Sequence, residues 1–422
     1  MDPKYIALSV FVIVYILFVF FPNIRALFAI LGAMMLIITQ ILTVPQAFLL
    51  VNWNVMGIFV GMLIVADVFM ESRVPAHIAE VLVDKAPNTK WAILFICLMA
   101  SFISAFVENV ATVLIVAPIA LSLSQKLKFN PMNMMIAIAI ASNLEGTATL
   151  IGDPPSMLLG SFAKMNFNDF FFYKGKPGIF FAVQIGALFS FMVLMYIFRK
   201  HKEKVALVSV EEIKSWVPTI ILVGLIMVLA ILPFYDKGFA YSTGIASMAA
   251  GFIALVWEIA KNKSSIIKNI KKLDWETTIL LMGIFIVVGG LSVTGWTEIF
   301  STFLSGLVGT NIFMGYTLIV FISVLLSGFI DNVPYLIAMM PVAVSMSDKL
   351  HINPSLFLFG LLIGCCLGGN ITPIGASANV VACSILKKEG YPVTFGKFMK
   401  IGIPFTLVAV VASYLFIWVI WH

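Results

Sequence analysis

Uncharged, strongly apolar stretches recur along the chain, separated by short polar segments. A helix needs ~20 such residues, within a range of about 17–25, to cross a bilayer core. Residues 177–198, 215–235, 238–257, 277–297 and 401–421 meet that length, and 5–21, 26–40 and 55–66 read as three more spans. Two regions depart from the pattern. Runs 93–107 and 110–124 flank Glu108-Asn109, and runs 313–330 and 333–347 flank Asp331-Asn332. Runs this short predict re-entrant hairpins of half-membrane helices. Two more apolar runs are cut by glycine, proline and polar residues. One is followed by Glu145-Gly146-Thr147-Ala148-Thr149-Leu150-Ile151-Gly152-Asp153-Pro154-Pro155-Ser156. The other is followed by Gly368-Gly369-Asn370-Ile371-Thr372-Pro373-Ile374-Gly375-Ala376-Ser377-Ala378-Asn379. Glycine and proline at this density stop a helix, so both runs read as broken helices.

Composition narrows the class. Of 422 residues, 61% are hydrophobic and 11% charged. Soluble chains carry roughly 45–50% apolar and about 25% charged residues. That difference excludes an ordinary soluble protein, disorder, a coiled coil and a disulfide scaffold. A transmembrane barrel alternates apolar and polar positions and does not reach such an average. An all-α polytopic membrane protein remains. The first apolar run lacks a small-residue cleavage site and reads as a retained helix.

The net charge is +6, from 26 Lys and Arg against 20 Asp and Glu. With the hairpins not crossing and the broken helices crossing once, 20 basic residues fall on one side and six on the other. The positive-inside rule makes the richer side cytoplasmic and places both termini outside. In this topology Arg25 lies in a cytoplasmic loop, and no Lys or Arg shares the depth of the acidic residues. The basic balance is thus a membrane feature rather than a nucleic-acid footprint. The four histidines fall in loops or at the terminus, which argues against a buried histidine relay. Cys97, Cys365, Cys366 and Cys383 lack zinc or redox spacing and read as packing residues. HExxH, Walker and GxGxxG patterns are absent, which disfavours an enzyme or an ATP-driven pump, and no cofactor is expected.

The chain repeats itself. A shift of 223 aligns residues 104–161 with 327–384 and matches Asn109 to Asn332, Pro118 to Pro341, Lys126 to Lys349, Pro131 to Pro354, Gly146 to Gly369, Thr149 to Thr372 and Gly152 to Gly375. Glu108 meets Asp331. Shared Asn, Pro, Lys and Gly at one offset indicate duplication rather than chance similarity of apolar runs. Lys126 lies inside and Lys349 outside in the predicted topology, so the copies are inverted, a signature of secondary transporters. The first repeat is assigned to 1–204, with scaffold helices in 5–70, a hairpin at 92–124, a broken helix at 133–163 and a helix at 178–198. The second is assigned to 205–422, with helices at 215–235, 238–258 and 276–297, a hairpin at 312–347, a broken helix at 355–386 and a helix at 401–421.

The candidate site lies where tips and breaks coincide. Backbone freed at membrane depth is tolerated only when buried in protein or lining a wet cavity. Its carbonyls can hold a cation, and a following helix N-terminus can hold an anion. Glu108, Asn109, Thr112, Glu145, Thr147, Thr149, Asp153, Ser156, Asp331, Asn332, Asn370, Thr372, Ser377 and Asn379 are the candidate ion-binding side chains. Gly146, Gly152, Pro154, Pro155, Gly369, Pro373 and Gly375 are the backbone hinges. Glu108, Asn109 and Thr149 form one candidate Na⁺ site, and Asp331, Asn332 and Thr372 the other. A carboxylate at mid-bilayer without a counter-charge takes up a proton or binds a cation, which suits coupling to Na⁺ or H⁺. Glu108 and Asp331 also stand where N-caps belong.

The stretches from Ser104 to Thr112, Gly152-Asp153-Pro154-Pro155, Asp331-Asn332-Val333-Pro334 and Gly368 to Asn379 resemble the ArsB/NhaD group of the ion transporter superfamily, nearest the melanosomal P protein branch. The resemblance implies a scaffold domain and a transport domain of two re-entrant hairpins and two broken helices, working by an elevator movement. It also implies substrates ranging over Na⁺/H⁺ exchange, arsenite efflux and anion movement. This chain has Glu108 where that branch has Asp, and Glu145 where it has Gly. The expected function is a secondary active ion transporter of the plasma or inner membrane, with cation/proton antiport favoured. Permeation of arsenite or a small anion, carboxylates included, is the alternative, and a passive anion channel is the alternative of another class. The expected partners are a small ion or small-molecule substrate and the lipid bilayer. A homodimer is neither indicated nor excluded by the sequence.

Overall fold

The computed structural model describes residues 2–21, 24–204, 212–235, 242–262 and 266–422. Residues 238–241 of the predicted span 238–258, and Lys237 and Lys263, lie outside them. The described chain is almost entirely helical. The first ten helices are α1 (Pro3–Phe20), α2 (Arg25–Ile38), α3 (Val44–Leu50), α4 (Trp53–Glu71), α5 (Val74–Asp84), α6 (Thr89–Ser104), α7 (Asn109–Lys126), α8 (Met132–Gly146), α9 (Pro154–Phe162) and α10 (Ile179–Ile197). A two-stranded hairpin, Phe172–Tyr173 with Lys176–Pro177, precedes α10. The next ten are α11 (Val217–Ile231), α12 (Ser242–Asn262), α13 (Ile266–Lys272), α14 (Trp275–Val293), α15 (Trp296–Val308), α16 (Ile312–Ser327), α17 (Asn332–Lys349), α18 (Ser355–Gly368), α19 (Ser377–Lys388) and α20 (Phe395–Trp421). Seven described helices are long and apolar enough to cross a membrane. One of them is α7, so its length fits a full crossing as well as a hairpin arm.

The duplication is written into the helix ends. The bounds of α16 and α17 are those of α6 and α7 displaced by 223. The caps repeat as well. Asn88 and Asn311 accept from the backbone of α6 and α16. Glu108 and Asp331 do the same for α7 and α17. Such caps satisfy backbone donors that a helix start leaves without partners.

Two groups of helices can be distinguished, touching through α4 with α7 and α9 and through α14 with α17. In one, α4 lies along α12 and α2 along α14, each pair joining the two halves of the chain. Small residues allow the approach. A Cβ on Gly61 would sit 2.3 Å from the Ser247 backbone, and one on Gly283 would sit 2.6 Å from the Ala29 Cβ. Lipid tails are as apolar as leucine, so close backbone packing rather than hydrophobic exclusion holds such pairs together. In the other group, α6 lies on α8, α16 on α18 and α10 on α20. The helices after the breaks change hands: α19 packs on α7 and α8, and α9 on α17 and α18.

Candidate functional site

The broken helices end where the sequence loses helix formers. Helix α8 stops at Gly146 and α9 starts at Pro154; α18 stops at Gly368 and α19 starts at Ser377, after a single 3₁₀ turn. Each break folds back on itself. A Cβ on Gly152 would lie 2.5 Å from the Gly146 carbonyl oxygen, and one on Gly375 would lie 2.5 Å from that of Gly369. Only glycine fits these two positions. Thr149 donates to the Ala105 carbonyl and Thr372 to the Gly328 carbonyl, tying each break to the turn of its own hairpin. Asn379 donates to the carbonyls of Gly369 and Thr372, both at 3.0 Å. Ser156 donates to Thr147 O at 3.2 Å, and Thr147 to Asn143 O at 3.4 Å. Thr112 bonds back to the Glu108 carbonyl at 3.2 Å.

An asparagine ladder joins the two halves at the centre. Asn109 Nδ2 donates to Asn143 Oδ1 at 2.9 Å. Asn143 Nδ2 donates to Asn370 Oδ1 at 3.0 Å and to the Cys366 carbonyl at 2.9 Å. Asn370 Nδ2 donates to the Ile140 carbonyl at 3.1 Å. Hydrogen bonds of this kind contribute about 0.5–1.5 kcal/mol each, and leaving a buried partner unpaired costs more. The ladder therefore fixes α8 against α18. Asn143 is absent from the sequence-derived candidates. Its signal was a primary amide in the last turn before a break, within an otherwise small and apolar helix.

Tips and breaks enclose a cavity of about 290 Å³. Glu108, Asn109, Asn143, Asp153, Asp331, Asn332 and Ser377 line it, with Asp274 and Glu276 exposed at its rim. Glu108 accepts from Ala111 N at 3.0 Å and Asp331 from Val333 N at 3.1 Å, so both carboxylates cap a helix while facing the cavity. Asp153 is different. It stands at the N-cap of α9 without a capping bond, and its Oδ2 is buried without a hydrogen-bond partner among the described residues. The cause is local: Pro155 has no N–H to offer, and the Ser156 N–H donates to the Asp153 backbone carbonyl at 3.0 Å instead of to its side chain. The carboxylate that would normally be consumed by its own helix is left uncapped, within electrostatic reach of Glu108 and Asp331. Asn379 Oδ1 is also buried and without a partner among the described residues.

Three placements differ from the sequence reading. Arg25 does not stay in a loop away from the acidic residues. It opens α2 and lines the cavity, and its Nη1 donates to Asp331 Oδ2 at 2.8 Å, with both side chains mostly buried. The absence of a fixed positive charge is thereby corrected: the site has a guanidinium, supplied by a residue 306 positions away. Glu145 does not reach this cavity. It points the other way and accepts from Gln184 Nε2 at 2.8 Å. Two residues of α-helix turn through about 200°, so Glu145 must face away from the side that Asn143 faces. Lastly, Thr112, Thr147, Thr149, Ser156, Asn370, Thr372 and Asn379 do not line the cavity; the Thr149 and Thr372 hydroxyls are turned onto the hairpin carbonyls, and Asn370 and Asn379 bond to neighbouring carbonyls.

With five carboxylates against one guanidinium, the cavity attracts cations, and the arginine gives it one point of attraction for an anion. The citrate transporter family profile matches residues 15–364. The chain belongs to the citrate transporter family. A 46 kDa membrane protein of Mycobacterium leprae is 28% identical over 98% of both chains. An uncharacterized transporter of Mycobacterium tuberculosis is 30% identical over 87% of this chain and 86% of its own. The mouse P protein is 25% identical over 96% of this chain and 58% of its own. Among solved structures, the Alcanivorax borkumensis YdaH transporter aligns with a TM-score of 0.60 over 86% of this chain and 84% of its own, at 14% identity. That likeness concerns the fold. This family member is an integral membrane protein and a secondary transporter, not an enzyme.

Proposed function

We propose that the chain is a cation-coupled secondary active transporter of the plasma membrane, with Na⁺ or H⁺ held in the cavity between hairpin tips and helix breaks. The observation that carries this reading is Asp153, whose buried Oδ2 has no partner among the described residues beside two further carboxylates. A buried carboxylate in that state is stabilised by a cation or a proton. Glu108, Asn109, Asn332 and Ser377 complete the surroundings. The α2–α14 and α4–α12 pairs act as scaffold, the hairpins and broken helices as the moving part, and the inverted repeats give alternating access. The motif resemblance to the ArsB/NhaD group supports the same reading. Arg25, Asp274 and Glu276 mark the open mouth, which faces the basic, cytoplasmic side.

Two cargoes fit this machinery. Cation/proton antiport needs only the carboxylates. Symport or exchange of a small carboxylate is favoured by Arg25 and by the family description. In that case a cation arriving at Asp331 frees the guanidinium, which then takes the anion, so neither ion is stable in the site alone. Fluxes in proteoliposomes separate the two. The panel is Na⁺, Li⁺, citrate and other carboxylates, arsenite and chloride, each under imposed Na⁺ and pH gradients. Uptake driven by either cation gradient at fixed stoichiometry supports the proposal. Passive flux that follows the permeant ion's own gradient refutes it.

A further inference from the structure

Glu145 opens onto a second cavity, of about 440 Å³, between α6, α8, α10 and α20 and separate from the acidic one. Its existence traces to four substitutions between the repeats. In the second half, Gly364 and Gly368 press α18 onto α16. A Cβ there would meet the Val320 and Val324 carbonyl oxygens at 2.5 and 2.6 Å. The matching positions in the first half are Ala141 and Glu145 facing Cys97 and Ser101, and all four line the cavity. Side chains replace the glycines, Ser101 Oγ donates to the Ala141 carbonyl at 3.4 Å across the pair, and a space opens beside them with a carboxylate on its wall.

The remaining surface is apolar apart from Gln184 and two serines. Two lining residues, Leu98 and Leu188, are more than half exposed, so the mouth opens through an apolar outer face of the kind that meets lipid. Gln184 gives its N–H to Glu145 Oε2, which leaves its own carbonyl oxygen as an acceptor beside the carboxylate. A carboxylate beside an amide carbonyl oxygen at the end of an apolar chamber matches a donor-only, positively charged head on an apolar body. The volume lies at the small end of the ~300–1,000 Å³ range of ligand pockets. It suits a single chain.

We propose that this cavity is a binding site for a single-tailed cationic amphiphile, its primary ammonium on Glu145 and Gln184 and its tail between Phe191 and Phe405. Charge-assisted bonds in an apolar setting are roughly twice as strong as neutral ones, so the head group decides selectivity. The ligand enters from the bilayer and does not pass through the acidic cavity.

The test uses the full-length protein in phosphatidylcholine nanodiscs and follows its thermal unfolding with octylammonium, octanoate and octanol. Octylammonium raises the unfolding temperature saturably, and the other two do not. Glu145→Gln weakens octylammonium by about tenfold or more, the scale of one lost charge-assisted bond. Ala187→Phe, which fills the chamber and keeps Glu145, abolishes the effect and serves as the second variant if Glu145→Gln does not fold. Equal stabilisation by octanoate or octanol, or an unchanged response in Glu145→Gln, overturns the proposal in favour of a plain lipid crevice. Displacement of octylammonium by Na⁺ overturns it in favour of an inorganic cation site.

Discussion

The two hairpin tips descend from one sequence, yet they carry their charges differently. Glu108 and Asp331 hold equivalent caps at 3.0 and 3.1 Å. Beyond the cap, Asp331 is paired with Arg25 of the other helix group, and Tyr15 of α1 donates to the nearby Pro334 carbonyl at 2.6 Å. The first tip lines the same cavity, but its half of the site also brings Asp153, where the second half has Ala376. One half thus supplies charge without a counter-ion, and the other supplies a charge already neutralised by the opposite helix group. The two halves share one geometry but differ in charge: the first leaves its carboxylates without a guanidinium, and the second pairs its own with Arg25.

Breaking the Arg25–Asp331 pair gives the largest expected effect. Arg25→Gln leaves the Asp331 carboxylate buried without its counter-charge, a loss of about 3–5 kcal/mol when a buried pair is broken from one side. Denaturant unfolding in detergent will read that loss. The Arg25→Gln/Asp331→Asn double variant recovers most of it, because a neutral pair removes the unpaired charge. A double variant as unstable as Arg25→Gln alone would show that the arginine acts through some other contact. No comparable loss follows Glu108→Gln, whose carboxylate has no ion-pair partner among the described residues.

Next come the positions where the halves are the same. Gly152→Ala and Gly375→Ala each place a Cβ 2.5 Å from a carbonyl oxygen, so each should destabilise by ~1–3 kcal/mol and by similar amounts. A large difference between them would mean that the two breaks are not equivalent structures. The smallest effect is expected from Thr149→Val and Thr372→Val. Each removes one staple between break and hairpin, at about 0.5–1.5 kcal/mol and again nearly equally.

Much of this was legible before the fold was known. Gly152 and Gly375 share one offset because each break needs glycine at the same close approach, and the Asp and Glu before Asn332 and Asn109 announce helix caps. The helix pattern also held a warning about Glu145, since α-helical geometry cannot aim Asn143 and Glu145 at the same cavity. Arg25 was not legible. Its partner is 306 residues away, and hydropathy assigns an arginine after an apolar run to a loop, whatever it later touches. The short helices α3, α5, α13 and α15 were equally hidden, being too brief to register as apolar spans. The uncapped carboxylate of Asp153 needed structure as well: the two prolines are visible in the sequence, but the turn of the Ser156 N–H onto the Asp153 backbone carbonyl is not.

The most direct test of the cation site is Na⁺- and pH-gradient-driven uptake in proteoliposomes, wild type against Asp153→Asn. The account predicts that the variant folds, inserts and loses gradient-driven uptake with its Na⁺ and pH dependence. Uptake that keeps the wild-type dependence on both gradients would contradict it.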